Sequence, residues 1–253
     1  MTRTPVWSQA TLPAPGTVNQ DLVRTGETWA LVLDGATPAP GVPSGCEHDV
    51  PWLVATLARH LSRRLPSDLP LPLVLHMAIT ATMRAHQPTC DLTNPNSPSA
   101  TAALLRLRDD RLDYLVLCDS PICLTHPDGT MTVIADNRAE HLPGGRPYSQ
   151  RLVERSRNRP GGFWVAGTCP EAAFHALTGS VPAASVSSAA LLTDGVTRLV
   201  EWYGHTWTSL IGALQDGGPD ALLARVRALE TAHGAPGRAK PHDDATVAYL
   251  TFQ

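Results

Sequence analysis

The stretch Trp29-Ala-Leu-Val-Leu-Asp-Gly-Ala-Thr-Pro38, WALVLDGATP, decides how this chain is read. Its short apolar run reads as a buried strand. The strand runs straight into Asp34-Gly35. The same pattern returns in LDYLVLCDS, which ends at Asp119 and Ser120, and in SAALLTDG, which ends at Asp194-Gly195. Near the C-terminus, HDDATVAYLTF reverses it, with Asp243 and Asp244 opening a strand. A single aspartate at a strand end is an ordinary turn residue. Several in this one context, able to meet in space, point to a site.

Outward from residue 29, the spacing of Val50, Leu53, Val54, Leu57, Leu61 and Leu65 predicts a helix over about 49–65, with Pro51 tolerated in its first turn. A second helix is expected over about 70–86. Beyond the loop QPTCDLTNPNSPSA the period changes to that of strands. Two hairpins follow, one turning at Asp109-Asp110 and one at Asp128-Gly129. The Arg-rich stretch before Gly161 reads as a short helix, FWVAG as a strand and PEAAFHAL as a short helix. VTRLVEWYG, WTSLIGALQ and PDALLARVRALETAHG read as helices, the last ended by Gly234, and ATVAYLTF as the final strand. Paired helices between antiparallel hairpins give an α+β layered architecture. No linker divides the chain, so residues 1–253 are expected to form one domain.

Composition narrows the function. At 253 residues with 43% hydrophobic and 17% charged residues, the chain can bury a sizeable core. A net charge of -3 with no basic stripe speaks against nucleic acid. No apolar run approaches a membrane span, and the N-terminus lacks a signal core. The five cysteines are odd in number and include no CxxC, so a reduced cytoplasmic protein without a zinc site is expected. His48, His60, His76 and His86, on or near the first two helices, read as surface histidines.

Carboxylates gathered at neighbouring strand ends repel one another unless a cation lies between them. All-oxygen ligation of this kind suits Mg²⁺ or Mn²⁺. Asp34 does not fit a phosphoryl-accepting Asp-x-Asp pair, since the residue two before it is Val32. There is no G-x-x-x-x-G-K-[ST] loop and no G-x-S-x-G elbow.

In order, NQD (19–21), VLDG (32–35), SATAALL (99–105), LVLCDS (115–120), LLTDG (191–195) and DDATVAYL (243–250) resemble the motifs of the PP2C-type metal-dependent protein phosphatases. The resemblance spans about residue 16 to the C-terminus. It implies a four-layer α-β-β-α sandwich of two antiparallel sheets flanked by helix pairs. It also implies that Asp34 bridges two Mg²⁺ or Mn²⁺ ions and that the Gly35 carbonyl binds one of them. Asp194 and Asp243 would bind the other, Asp119 would hold a weaker third ion, and Asp21 would orient waters from behind. A water shared by the ions would attack phosphorus in line. The implied substrate is phosphoserine or phosphothreonine in proteins, with a cognate kinase as a further partner.

The sequence departs from the family pattern at several points. A phosphate-gripping arginine is replaced by Gly16, with Arg3 or Arg24 as substitutes, and a histidine after Asp-Gly by Ala36. A Gly-Gly pair is replaced by Thr37-Pro38, and the asparagine of Asp-Asn by Asp244. Two alternatives therefore stand beside an active protein phosphatase: a pseudophosphatase that binds a phosphoprotein or kinase without turnover, and a hydrolase of small phosphorylated molecules. The basic run carrying Arg151, Arg155, Arg157 and Arg159 reads either as a solvated face or as a flap meeting a phosphopeptide. In DDAT, Thr246 sets the register, so Asp243 is expected to face the ion. Asp244 is expected to face away, with its change to asparagine mild.

Overall fold

The computed structural model describes residues 4–36, 41–86, 89–144, 148–237 and 240–253. Thr37-Pro38 and Arg3 lie outside the described residues. One antiparallel sheet has the strand order β1 (Pro5–Leu12), β12 (Ala245–Phe252), β11 (Ser188–Leu192), β8 (Ile122–Thr125), β9 (Met131–Ile134). The other runs β10 (Leu177–Pro182), β7 (Arg111–Leu117), β6 (Ala102–Arg108), β3 (Trp29–Leu33), β2 (Leu22–Thr25). A short pair, β4 (Gly35–Ala36) with β5 (Ser99–Ala100), caps the second sheet.

The continuous apolar strands of the sequence are explained by burial on both faces. In β3, Ala30 and Val32 pack against the facing sheet, while Trp29, Leu31 and Leu33 pack against helices. In β11, Ala189 and Leu191 meet the facing sheet, and Ala190 and Leu192 meet the opposite helix layer. An antiparallel sheet with one wet face would alternate apolar and polar residues, and these strands do not. Helices α1 (Val50–Ser62) and α2 (Leu71–His86) cover the second sheet. Helices α4 (Asp194–Glu201) and α5 (Trp207–His233) cover the first. The result is the expected four-layer sandwich.

Local signals behave as their chemistry requires. Asp49 caps α1 by accepting from Trp52 N at 2.8 Å, with Pro51 in the first turn. Helix α5 kinks at Gly218, where φ is 76°, and restarts at Pro219; Gly234 ends it with φ 66°. The Asp109-Asp110 hairpin turn has both φ values positive, as a two-residue turn needs.

Several elements differ from the sequence expectation. Two strands, β1 and β2, precede residue 29. FWVAG forms only isolated bridges, Arg157 with Phe163 and Ala100 with Ala166. The stretch read as a helix from Pro170 is a 3₁₀ turn over Pro170–His175, and its last residue opens β10. The Arg-rich stretch does form a helix, α3 (Gln150–Ser156). His86 is buried, not a surface residue.

Candidate active site

Strand register alone brings the aspartates to one end of the sandwich. Leu33 of β3 pairs with Leu22 of β2, so Asp34 and Asp21 leave their strands side by side. Val32 pairs with Ala103, and Ala102 with Leu117, which puts Asp119 at that same end. In the other sheet, Leu192 pairs with Val247, so Asp194 leaves β11 where Asp243 and Asp244 enter β12. The chain crosses between the sheets there, from β7 through Asp119 to β8.

The two Asp-Gly steps are not turns. Neither Gly35 nor Gly195 has a positive φ. A Cβ on Gly35 would lie 2.3 Å from Val50 Cγ1 and 2.5 Å from the Gln20 carbonyl. One on Gly195 would lie 1.9 Å from the Asp244 carbonyl oxygen. Each glycine lets a neighbouring strand end approach the carboxylate before it. Immediately before Asp119 stands Cys118, buried with φ 65°. That left-handed conformation is unusual for a side chain other than glycine. Its N–H donates to the buried Asp136 at 3.0 Å, which fixes the step into Asp119.

The carboxylates press on one another. Burial raises Asp34 well above the usual carboxylate range, with Asp194, Asp21, Asp119 and Asp243 adding repulsion. Burial, then Asp243 and Asp119, push Asp194 up to about 8, against a lowering by Arg198. Burial pushes Asp21 up to about 7, although hydrogen bonds from Thr246 and Thr193 favour its charged form. Asp34, Asp119, Asp194 and Asp243 are half-buried, whereas Asp21 and Asp244 are buried. A group of partly open carboxylates backed by buried ones is a donor set short of positive charge, and it fits hard divalent cations.

The second row is specific. Thr193 Oγ1 donates to Asp21 Oδ2 at 2.9 Å and accepts from Thr246 N at 2.9 Å. Asp244 Oδ1 accepts from Ala14 N at 2.8 Å, and its Oδ2 from Gln20 N at 2.7 Å. Asp244 thus clamps the segment leading to Asp21, a role the sequence reading did not foresee. Asp243 Oδ2 accepts from Arg198 Nη2 at 2.6 Å. Arg198 also pairs with Glu230 at 2.7 Å, and its guanidinium lies 4.2 Å from the Trp202 ring centre. Arg198 was missed in the sequence, although its place four residues after Asp194, on the same helix face, was a usable signal.

Two other expectations find their places. Gly16 lies in an exposed turn with φ 76°, and Arg24 is exposed on edge strand β2. Of the basic run, Arg151, Arg155 and Arg159 are exposed. Arg157 turns inward, donating to the Pro95 carbonyl at 2.6 Å, to the Ser97 carbonyl at 2.9 Å and to Ser99 Oγ. It fastens α3 beside Ala36, and a cavity of about 220 Å³ lined by Ala36, Ser99, Tyr148, Arg157 and Phe163 opens between them.

The family model described as protein phosphatase 2C matches residues 13–226. The chain belongs to that family. Solved structures of similar fold include the catalytic domain of the serine/threonine phosphatase PstP in complex with two manganese ions, at 17% identity and TM-score 0.60 over 99% of each chain. Another is the serine/threonine phosphatase Stp1 from Staphylococcus aureus, at 13% identity and TM-score 0.66 over 98% of this chain and 94% of that one. A third is RsbX in complex with magnesium, at 10% identity and TM-score 0.54 over 100% and 98%. Among curated proteins none matches the sequence. Among the described residues, no helix of this PP2C-family protein is long and apolar enough to cross a membrane.

Proposed function

We propose that this chain, as one catalytic unit, is a divalent-metal-dependent phosphatase acting on phosphoserine or phosphothreonine in proteins. The observation that carries it is the convergence of Asp34, Asp119, Asp194 and Asp243 on one end of the sandwich, where the other three each raise the cost of charge on Asp34. Asp34, the Gly35 carbonyl, Asp194 and Asp243 would hold two Mg²⁺ or Mn²⁺ ions, and Asp119 would hold a weaker third. When bound, such ions supply Lewis-acid activation of water and of the phosphoryl oxygens.

The remaining work belongs to the chain. Gly35 and Gly195 let the ligand-bearing strand ends come close. Asp21, held by Thr193 behind the carboxylates, would orient water that such ions bind. Arg198 holds Oδ2 of Asp243, while Asp243 Oδ1 accepts from Asp244 N at 3.2 Å and lies 3.8 Å from Lys240 Nζ, so the carboxylate is held in place at the strand entry. The exposed Arg151 and Arg155 of α3 face an anionic phosphopeptide, and Arg157 anchors that helix.

A second reading, binding of a phosphoprotein or kinase without turnover, is favoured by Gly16 and by the Arg198 hold on Asp243. One experiment separates them: hydrolysis of an aryl phosphate and of a phosphothreonine peptide with Mn²⁺, with and without chelator. Turnover that chelator abolishes supports the phosphatase. Tight phosphopeptide binding with no turnover at any Mn²⁺ concentration supports the second reading. Turnover of small phosphate esters alone would move the substrate class to metabolites.

A further inference from the structure

A second cluster lies away from the strand-end aspartates. Cys46 and His48 stand in the loop before α1, His86 is the last residue of α2, and Cys90 follows four residues on. Because α1 and α2 are an antiparallel pair, the start of one and the end of the other are neighbours. One ligand atom from each of the four residues falls within 4.8 Å of all the others.

Both imidazoles aim the same atom at the thiols. His48 Nδ1 lies 3.3 Å from Cys90 Sγ and 3.7 Å from Cys46 Sγ, and His86 Nδ1 lies 3.5 Å from Cys46 Sγ. Tetrahedral zinc, with Zn–S near 2.3 Å and Zn–N near 2.0–2.1 Å, places sulfur and nitrogen about 3.5 Å apart. The Cys46 and Cys90 sulfurs are 2.7 Å apart, so they must separate by about 1 Å to hold such an ion. A disulfide instead needs them to close to about 2.05 Å.

The surroundings are those of a built site. The His48 backbone N–H donates to Cys46 Sγ at 3.3 Å, a bond that favours thiolate. The Gly45 carbonyl accepts from Asp91 N at 2.7 Å, and the Pro43 carbonyl from Asn94 Nδ2 at 3.2 Å, so the two ligand-bearing loops are already joined. Trp52 stacks on His48 at 3.7 Å between ring centres and lies 4.5 Å from His86, closing one side with apolar surface. His86 is 1% exposed, and among the described residues neither ring nitrogen has an oxygen partner. Four soft and borderline ligands of this kind select zinc over the magnesium or manganese that carboxylates prefer.

We propose that Cys46, His48, His86 and Cys90 form a structural zinc site that locks the α1–α2 hairpin to the loop following Asp34-Gly35-Ala36. Four protein ligands leave no open position, so the ion holds structure and takes no part in hydrolysis. The sequence does carry the signal, C-x-H before one helix and H-x₃-C after its partner. It was hidden because the two halves are separated by the whole helical hairpin.

The test uses the full chain purified under reducing conditions and passed through gel filtration. Elemental analysis is expected to find about one zinc per chain. Reconstitution with Co²⁺ alone is expected to give tetrahedral visible bands and a thiolate-to-cobalt charge-transfer band. These are lost in Cys90→Ser and kept in Cys169→Ser and in Asp34→Ala, which separates this site from the aspartates. Should Cys90→Ser fail to fold, the wild-type cobalt spectrum still decides. Zinc-free protein whose Co²⁺ complex shows no thiolate band overturns the proposal. So does a denatured, unreduced sample titrating two fewer than the five thiols, since that reports a Cys46–Cys90 disulfide.

Discussion

Changing Asp244 to asparagine separates a structural carboxylate from a ligand one residue away. Each Asp244 oxygen accepts a backbone N–H, one from Ala14 and one from Gln20, in a buried setting. Asparagine has one acceptor oxygen, so one of those N–H groups would face an amide N–H. Leaving a buried donor unpaired costs about 1–3 kcal/mol, and the surviving bond loses its charge assistance. Relief of the repulsion that Asp244 exerts on Asp21 offsets part of this. The net loss of stability should be about 2 kcal/mol, or roughly 4–8 °C in melting temperature for a chain of this size. Mn²⁺ affinity should change little. Asp243→Asn should do the reverse. Arg198 keeps Glu230 as a partner, so the fold survives, while Mn²⁺ affinity falls by more than about 100-fold, beyond the effect of losing a residue that only supports a ligand. Calorimetric Mn²⁺ titration and thermal melts on both variants decide it. If Asp244→Asn loses Mn²⁺ and Asp243→Asn keeps it, the assignment is off by one residue.

Asp34→Ala and Asp194→Ala should each lower kcat by several orders of magnitude, and Asp119→Ala by less at saturating Mn²⁺; equal losses in a steady-state assay would refute the ranking. Gly195→Ala should destabilise by about 1–3 kcal/mol or more in urea unfolding, since its Cβ would sit 1.9 Å from the Asp244 carbonyl oxygen. The metal-free protein should gain stability as pH falls. Asp21 and Asp194 titrate near 7 and 8 when folded and near 4 when unfolded, so between those values the folded state binds the extra protons. Melting temperature without metal should therefore be higher at pH 6 than at pH 8, with added Mn²⁺ raising it more at pH 8. A melting temperature independent of pH over that range would show that the carboxylates do not repel as described.

What the sequence made legible was set by distance along the chain. Strand-end aspartates announce themselves because an apolar run and its terminal carboxylate are adjacent, and the register of β3, β6, β7, β11 and β12 then gathers them. Edge strand β1 stayed hidden because none of its residues is fully buried, Ser8, Gln9 and Thr11 are exposed, and its pattern PVWSQATL mixes both characters. FWVAG has strand composition, but Gly162 lies against the Ser156 carbonyl and the segment runs as irregular chain with bridges. Asp244 reads as a spare charge until the backbone of Ala14 and Gln20, more than two hundred residues away, supplies its partners. Cys46 and His86 escaped for the same reason, since only the closed helical hairpin brings them together.

The most direct test of the metal-dependent active centre is a manganese-soaked crystal measured at the manganese absorption edge. Two strong anomalous peaks are expected at the strand ends, both touched by Asp34, one also by the Gly35 carbonyl and the other by Asp194 and Asp243, with a weaker third beside Asp119. A saturating soak that leaves that end of the sandwich without anomalous density, with Arg198 still closed on Asp243, would contradict it.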